Sequence, residues 1–318
     1  TQRNIELFFV RYLQIKGLSR LSYEVYDERH IPFRLRRPHD GHLGRGVWEN
    51  RPDHDKFYPD IAVPLELVNS FDIDVGTNQS IWSDIYIPKT ATPGLYVGTL
   101  KISEGPAEVY HVPVMLEVKR FSLPDVPNAK TMLYLGYGDI AKRYFGGYPY
   151  NAGEAGLLQR VRDRHFQMAH RHKISLIDGD DGWEWWPYDC PRPEWGARLS
   201  GELFSTERGY AGPGVGVGNG VYSIGTYGNW RWGDGAAMQT HADNWAAWFR
   251  ANAPETEHFL YLIDESRDYG RINAWAETLA AAPGLGRTLL SFATVSAPAA
   301  LSNCPALKIA CSTGGLGI

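Results

Sequence analysis

Residues 258–266 read His-Phe-Leu-Tyr-Leu-Ile-Asp-Glu-Ser, an apolar run that stops at two adjacent carboxylates, Asp264 and Glu265. A short apolar segment with polar flanks reads as a strand buried on both faces, as in a parallel sheet. Carboxylates at the C-terminal end of such a strand stand where α/β barrels build their active sites. Two neighbouring acids are costly to ionise together, so one can hold a proton while the other stays charged. Glycoside hydrolysis requires that division of labour. Successive strand residues point to opposite faces, so both carboxyls reach one cleft only if the backbone bends just past Ile263. Without the bend, Asp264 caps a turn and Glu265 is simply solvated.

Other residues could serve the same chemistry. Asp178, Asp180 and Asp181 follow a strand-like segment, with Trp183, Trp185 and Trp186 close behind. Such a loop would pair carboxylates that bind sugar hydroxyls with an aromatic platform for a sugar face; the alternative is an acidic turn over a satellite aromatic cluster. Asp180 and Trp183 are the strongest individual candidates there. The run from Gly209 to Gly220 is dense in glycine but has no G-x-G-x-x-G frame and no Gly-Lys-Ser/Thr ending. It therefore reads as an active-site loop and not a nucleotide cradle. Beyond it, Tyr227, Trp230 and Trp232 would complete the sugar platform, or pack in the core.

Metal and nucleophile chemistry find little support. His165, His170 and His172 share a helix-like segment, but the His170–His172 spacing separates the two rings around a helix. No metal site and no cofactor are expected. The Ser and Cys residues show no nucleophile-elbow frame. Cys190, Cys304 and Cys311 are odd in number and allow at most one internal disulfide.

The elements that must position these residues fall into two parts. Residues 5–10, 81–88, 95–100 and 109–118 read as strands with turn signals between them, which suggests a β-sandwich over residues 1–124. The stretch Phe121-Ser122-Leu123-Pro124-Asp125-Val126-Pro127 reads as a linker. From residue 128 to 318 the pattern alternates. Strands are expected at 131–135, 173–177, 221–225, 258–263, 288–293 and 307–310, and helices at 154–172, 240–253 and 269–281. That alternation predicts a parallel sheet of (β/α)8 TIM-like barrel type, and the acid pair would end its fourth strand. About six strands fit before Ile318, so the barrel is expected to be incomplete at the C-terminus of this chain.

Composition agrees with a globular protein: the hydrophobic fraction is 43% and the charged fraction 21% over 318 residues. A net charge of −4 provides no basic footprint for nucleic acid, and no apolar run reaches membrane-spanning length. The compartment is left open, with a secreted or periplasmic setting favoured.

The segment Tyr261-Leu262-Ile263-Asp264-Glu265 resembles the catalytic strand of glycoside hydrolase family 123. Residues Asn78-Gln79-Ser80-Ile81-Trp82-Ser83-Asp84-Ile85-Tyr86-Ile87-Pro88 and Pro93-Gly94-Leu95-Tyr96-Val97-Gly98-Thr99 are similar to that family's N-terminal domain. The resemblance implies a β-sandwich ahead of a barrel, and a retaining β-N-acetylhexosaminidase, with N-acetylgalactosamine favoured. It also implies substrate-assisted catalysis, in which the sugar's own acetamido oxygen attacks the anomeric carbon. Glu265 would then be the acid/base, and Asp264 would orient and stabilise the acetamido group. The rival expectation is a catalytically silent carbohydrate-binding or structural protein. In either case the partner is a glycan.

Overall fold

The computed structural model describes residues 4–14, 57–68, 70–147, 152–178 and 188–312. The chain divides into two compact units, Thr1–Ser122 and Leu123–Ile318.

In the first unit, β1 (Ile5–Gln14) lies between β2 (Phe57–Pro64) and β3 (Ile81–Ile85) in an antiparallel sheet. The segments β4 (Gly94–Glu104) and β5 (Ala107–Val118) form a long antiparallel hairpin. The strands fall where apolar/polar alternation places them, with β2 added. No described residue of this unit is buried, and a hollow of about 470 Å3 lies among Ile5, Leu7, Ile85, Tyr96, Leu100 and Val114. A sandwich needs two apolar faces interdigitated over a closed core. The described residues show the sheet and the hairpin without that core.

In the second unit, β6 (Met132–Tyr134) and β7 (Ser175–Ile177) pair in parallel. Four further strands, β8 (Val221–Ile224), β9 (Glu257–Ile263), β10 (Leu290–Thr294) and β11 (Ile309–Cys311), form a parallel sheet in chain order. Side chains join the two ladders: Asn219 donates to the carbonyls of Leu176 and Val221, and Gly220 N–H donates to the Ser175 hydroxyl. Helices α1 (Tyr137–Phe145), α2 (Ala152–Arg171), α3 (Trp195–Ser200), α4 (Ala236–Asn252), α5 (Tyr269–Ala280) and α6 (Ala297–Asn303) fill the connections. The Asp268 side chain caps α5 by accepting the Arg271 N–H. Among the described residues the strands do not close into a (β/α)8 barrel; the parallel sheet expected of such a barrel is present, its closure is not. There β6 pairs only with β7 and β11 only with β10, so the ladder does not return on itself.

The sheet has two unlike faces, as a period of two dictates. Leu176, Tyr222, Ile224, Leu260, Leu262 and Ala293 pack in one large core with helix residues such as Trp245, Phe249 and Ile272. Ile177, Val221, Phe259, Tyr261 and Phe292 point the other way and cluster with one another, strand side chain against strand side chain. That second face is the one the acid pair must join.

Packing also sets a pH limit. His170 on α2 sits with Nε2 2.9 Å from the Val217 carbonyl and its ring 3.8 Å from that of Phe204. Burial pushes its pKa down to about 4, against about 6.5 in an unfolded chain. The unfolded state therefore binds the proton more readily between those values, and stability falls as pH drops through that window. The unfolding free energy from denaturant titration should be flat above about pH 6.5 and decline toward pH 4, by about 2 kcal/mol after solvent screening. His170→Asn should remove most of that slope, and an unchanged slope would assign it to other groups.

Candidate active site

The geometry at the end of β9 begins with an irregular register. Phe292 pairs with Tyr261, but the next residue, Ala293, pairs with Ile263, so Leu262 is one residue too many. This is a β-bulge. Leu262 and Ile263 consequently both pack toward the helix-covered core. The Trp230 indole N–H donates to the Leu262 carbonyl at 2.9 Å and satisfies the backbone there. On a regular strand Tyr261 and Asp264 would face opposite ways; the extra residue brings them onto one face.

The consequences are specific. Asp264 is half-buried, and its Oδ1 accepts from the Tyr261 hydroxyl at 2.7 Å and from the Thr294 hydroxyl at 2.7 Å. Its Oδ2 accepts no hydrogen bond among the described residues. The chain bends at Asp264 and Glu265, and Glu265 takes a left-handed backbone with φ 45°. That conformation is unfavourable for a residue with a Cβ. The Glu265 N–H is held by Thr294 Oγ1, while its carboxylate is exposed and makes no ion pair or hydrogen bond with the described residues. Strain of this kind persists where the surroundings over-determine it, and such positions cluster at functional sites.

Tyr227 stands beside them. Its ring lies 5.7 Å from that of Tyr261 and 5.1 Å from that of Tyr134, which ends β6. It is 50% exposed. Its phenol pKa is raised, first by desolvation and then by the charge of Asp264. Tyr227 also has a left-handed backbone, φ 62°, and Gly228 follows with φ 77°. A Cβ on Gly228 would come within 3.2 Å of Ile263 Cα and the Leu262 carbonyl, a tight contact added to the strain of a positive φ, so glycine suits this loop where it lies on the bulge. The Tyr261 phenol pKa is raised too, by burial first and then by its bond to Asp264, which keeps it a donor.

The neighbouring strand end is locked from behind. Asp178, directly after β7, is 3% exposed and accepts from the Tyr137 hydroxyl. Tyr137 in turn accepts from Arg198 on α3 at 2.6 Å.

The remaining candidates separate. Asp180, Asp181 and Trp183 lie outside the described residues. Trp230 is partly buried and engaged with the bulge, its ring 4.9 Å from that of Trp275. Trp232 is 4% exposed, packed in the main core and stacked on His241 at 5.6 Å, so its ring face is not offered to a sugar. Sequence reasoning missed Tyr134 and Thr294. Each ends a strand that the pattern did locate, and strand-end position was the available signal. One hollow of the second unit, about 360 Å3, lies among Lys173, Ser175, Gly220 and Thr256 at the strands' N-terminal ends, away from the acids. Among the described residues no cluster of three His, Cys, Asp or Glu could hold a metal, and no helix is long and apolar enough to cross a membrane.

No family model matches the chain, and no curated protein sequence matches it. Among solved structures, it is similar to a family 123 glycoside hydrolase from Clostridium perfringens, described for glycolipid glycan hydrolysis. The identity is 11% and the TM-score 0.48, covering 93% of this chain and 52% of that one. The chain thus spans about half the length of that structure. The likeness is remote, and no residue role is carried across from it.

Proposed function

We propose that the chain carries the acid pair of a retaining glycosidase acting on β-linked N-acetylhexosamine, with N-acetylgalactosamine favoured. The observation that supports this reading most is the bulge and bend of β9. They turn Asp264 onto the strand-built face at the C-terminal ends of parallel strands and present Glu265 beside it in a strained conformation. The likeness of residues 261–265 to a glycosidase strand supports it as well.

In this reading Asp264, anchored through Oδ1, offers Oδ2 to the acetamido N–H and stabilises the positive charge of the oxazolinium intermediate. Glu265 protonates the leaving glycosidic oxygen, then takes a proton from the water that opens the intermediate. Two steps through one intermediate retain the anomeric configuration. The exposed Tyr227 and Tyr134 rings supply an apolar face against which a pyranose can stack.

The test is turnover of aryl N-acetyl-β-galactosaminide and N-acetyl-β-glucosaminide, with inhibition by the corresponding thiazoline as the mark of acetamido participation. Asp264→Asn should lower kcat by roughly 10²–10³-fold, the usual cost of losing one electrostatic stabiliser. Turnover that is insensitive to the thiazoline, or an active Asp264→Asn, overturns the substrate-assisted scheme. Sugar binding without turnover favours the silent carbohydrate-binding protein.

A further inference from the structure

Thr294 closes β10, the strand that pairs with β9 in parallel and runs beside its bulge. Its side-chain oxygen donates to Asp264 Oδ1 at 2.7 Å and accepts the N–H of Glu265. A hydroxyl has one proton and two lone pairs, so both bonds can exist together. Tyr261 already donates to the same Asp264 oxygen. Both hydroxyl protons therefore converge on the carboxylate, and the Thr294 lone pairs remain for the Glu265 amide. No other residue among those described bonds both acids of the pair.

We infer that Thr294 is a positioning residue: one hydroxyl fixes the carboxylate plane of Asp264 and the left-handed backbone of Glu265, and so sets the spacing of the two acids. Its catalytic consequence rests on the glycosidase reading; its geometric consequence does not. The residue type suits the task. Two substituents on Cβ stiffen χ1, so the hydroxyl is held by its own strand as well as by its partners. Valine has nearly the same shape and no hydroxyl, which makes it the informative replacement.

The experiment compares the parent chain with Thr294→Val and Thr294→Ser in two measurements, after thermal unfolding shows each variant to be folded. The first is amide exchange at Glu265 by NMR. Thr294→Val should speed it by about tenfold, the effect of one lost hydrogen bond, and Thr294→Ser should restore protection. The second is kcat and KM on aryl N-acetyl-β-hexosaminides. Thr294→Val should lower kcat by about 10–100-fold with KM within about twofold, and Thr294→Ser should recover most of the loss. If Thr294→Val does not fold, Thr294→Ala takes its place. A parent chain without turnover sinks the glycosidase reading, and the exchange measurement still decides the positioning role. Unchanged Glu265 protection in Thr294→Val, or equal damage from valine and serine, overturns the role itself.

Discussion

Glu265→Gln is expected to lower kcat on N-acetyl-β-hexosaminides with poor leaving groups by about 10²–10⁴-fold, with the folded state intact. Glutamine preserves the shape and removes the proton that the departing oxygen needs. The loss should shrink sharply for activated aryl substrates, whose leaving groups depart without protonation. That dependence on leaving group separates a missing acid from a damaged fold. The side chain makes no hydrogen bond or ion pair with the described residues, so little stability is at stake. A second variant sharpens the point. Glu265 has φ 45°, a conformation that glycine adopts freely and glutamate does not. Glu265→Gly should therefore be at least as stable as the parent while sharing the catalytic defect. A residue whose removal relieves strain and destroys turnover is kept for chemistry. Near-parental kcat for Glu265→Gln on poor leaving groups would remove it from the acid role.

The largest stability effect is expected at Arg198. The residue is 0% exposed, donates to the Tyr137 hydroxyl at 2.6 Å, and pairs with Asp163 at 3.3 Å and Glu194 at 3.8 Å. Its guanidinium lies 4.0 Å from the centre of the Phe166 ring. Burial works against the charge, but Tyr137, Glu194, Asp163 and Asp178 together outweigh it, so the guanidinium pKa is raised. Arg198→Met keeps most of the apolar contact and leaves two partly buried carboxylates without their cation. Removing one partner of a buried pair costs about 3–5 kcal/mol. Asp163 and Glu194 retain some access to water, which places the expected loss near the lower end. Urea unfolding with an unchanged slope would measure it. Tyr137→Phe should cost less, about 1–2 kcal/mol, because the hydroxyl that accepts from Arg198 and donates to Asp178 is lost while the ion pairs of Arg198 remain. A loss below about 1 kcal/mol for Arg198→Met would mean that the network contributes little net stability.

Much of the fold was legible along the chain because its signals are local. All six parallel strands fall within a few residues of the positions that apolar runs predicted, and α2, α4 and α5 follow helical spacing. Three helices escaped. At nine, six and seven residues, α1, α3 and α6 are too short to display a periodic face over several turns. Barrel closure and a packed sandwich core depend on pairings distant in sequence, which a residue pattern cannot report.

The acid pair was legible for the same reason, as an apolar run ending in Asp264 and Glu265. The aromatic residues around it were not distinguishable. Tyr227 and Trp232 look alike on the page, yet one is half exposed beside Asp264 and the other is buried against His241. The crowding of aromatic residues into one Gly-rich stretch was legible; which ring faces remain open depends on what lies across from them. The bulge at Leu262 marks the same boundary. Nothing in Tyr261-Leu262-Ile263 announces an extra residue, because the bulge is a relation between β9 and β10. Residue identity determined which groups could do the chemistry. Strand pairing decided that Asp264 shares a face with Tyr261 and Thr294, since direction on a strand follows register and register is set by the neighbour.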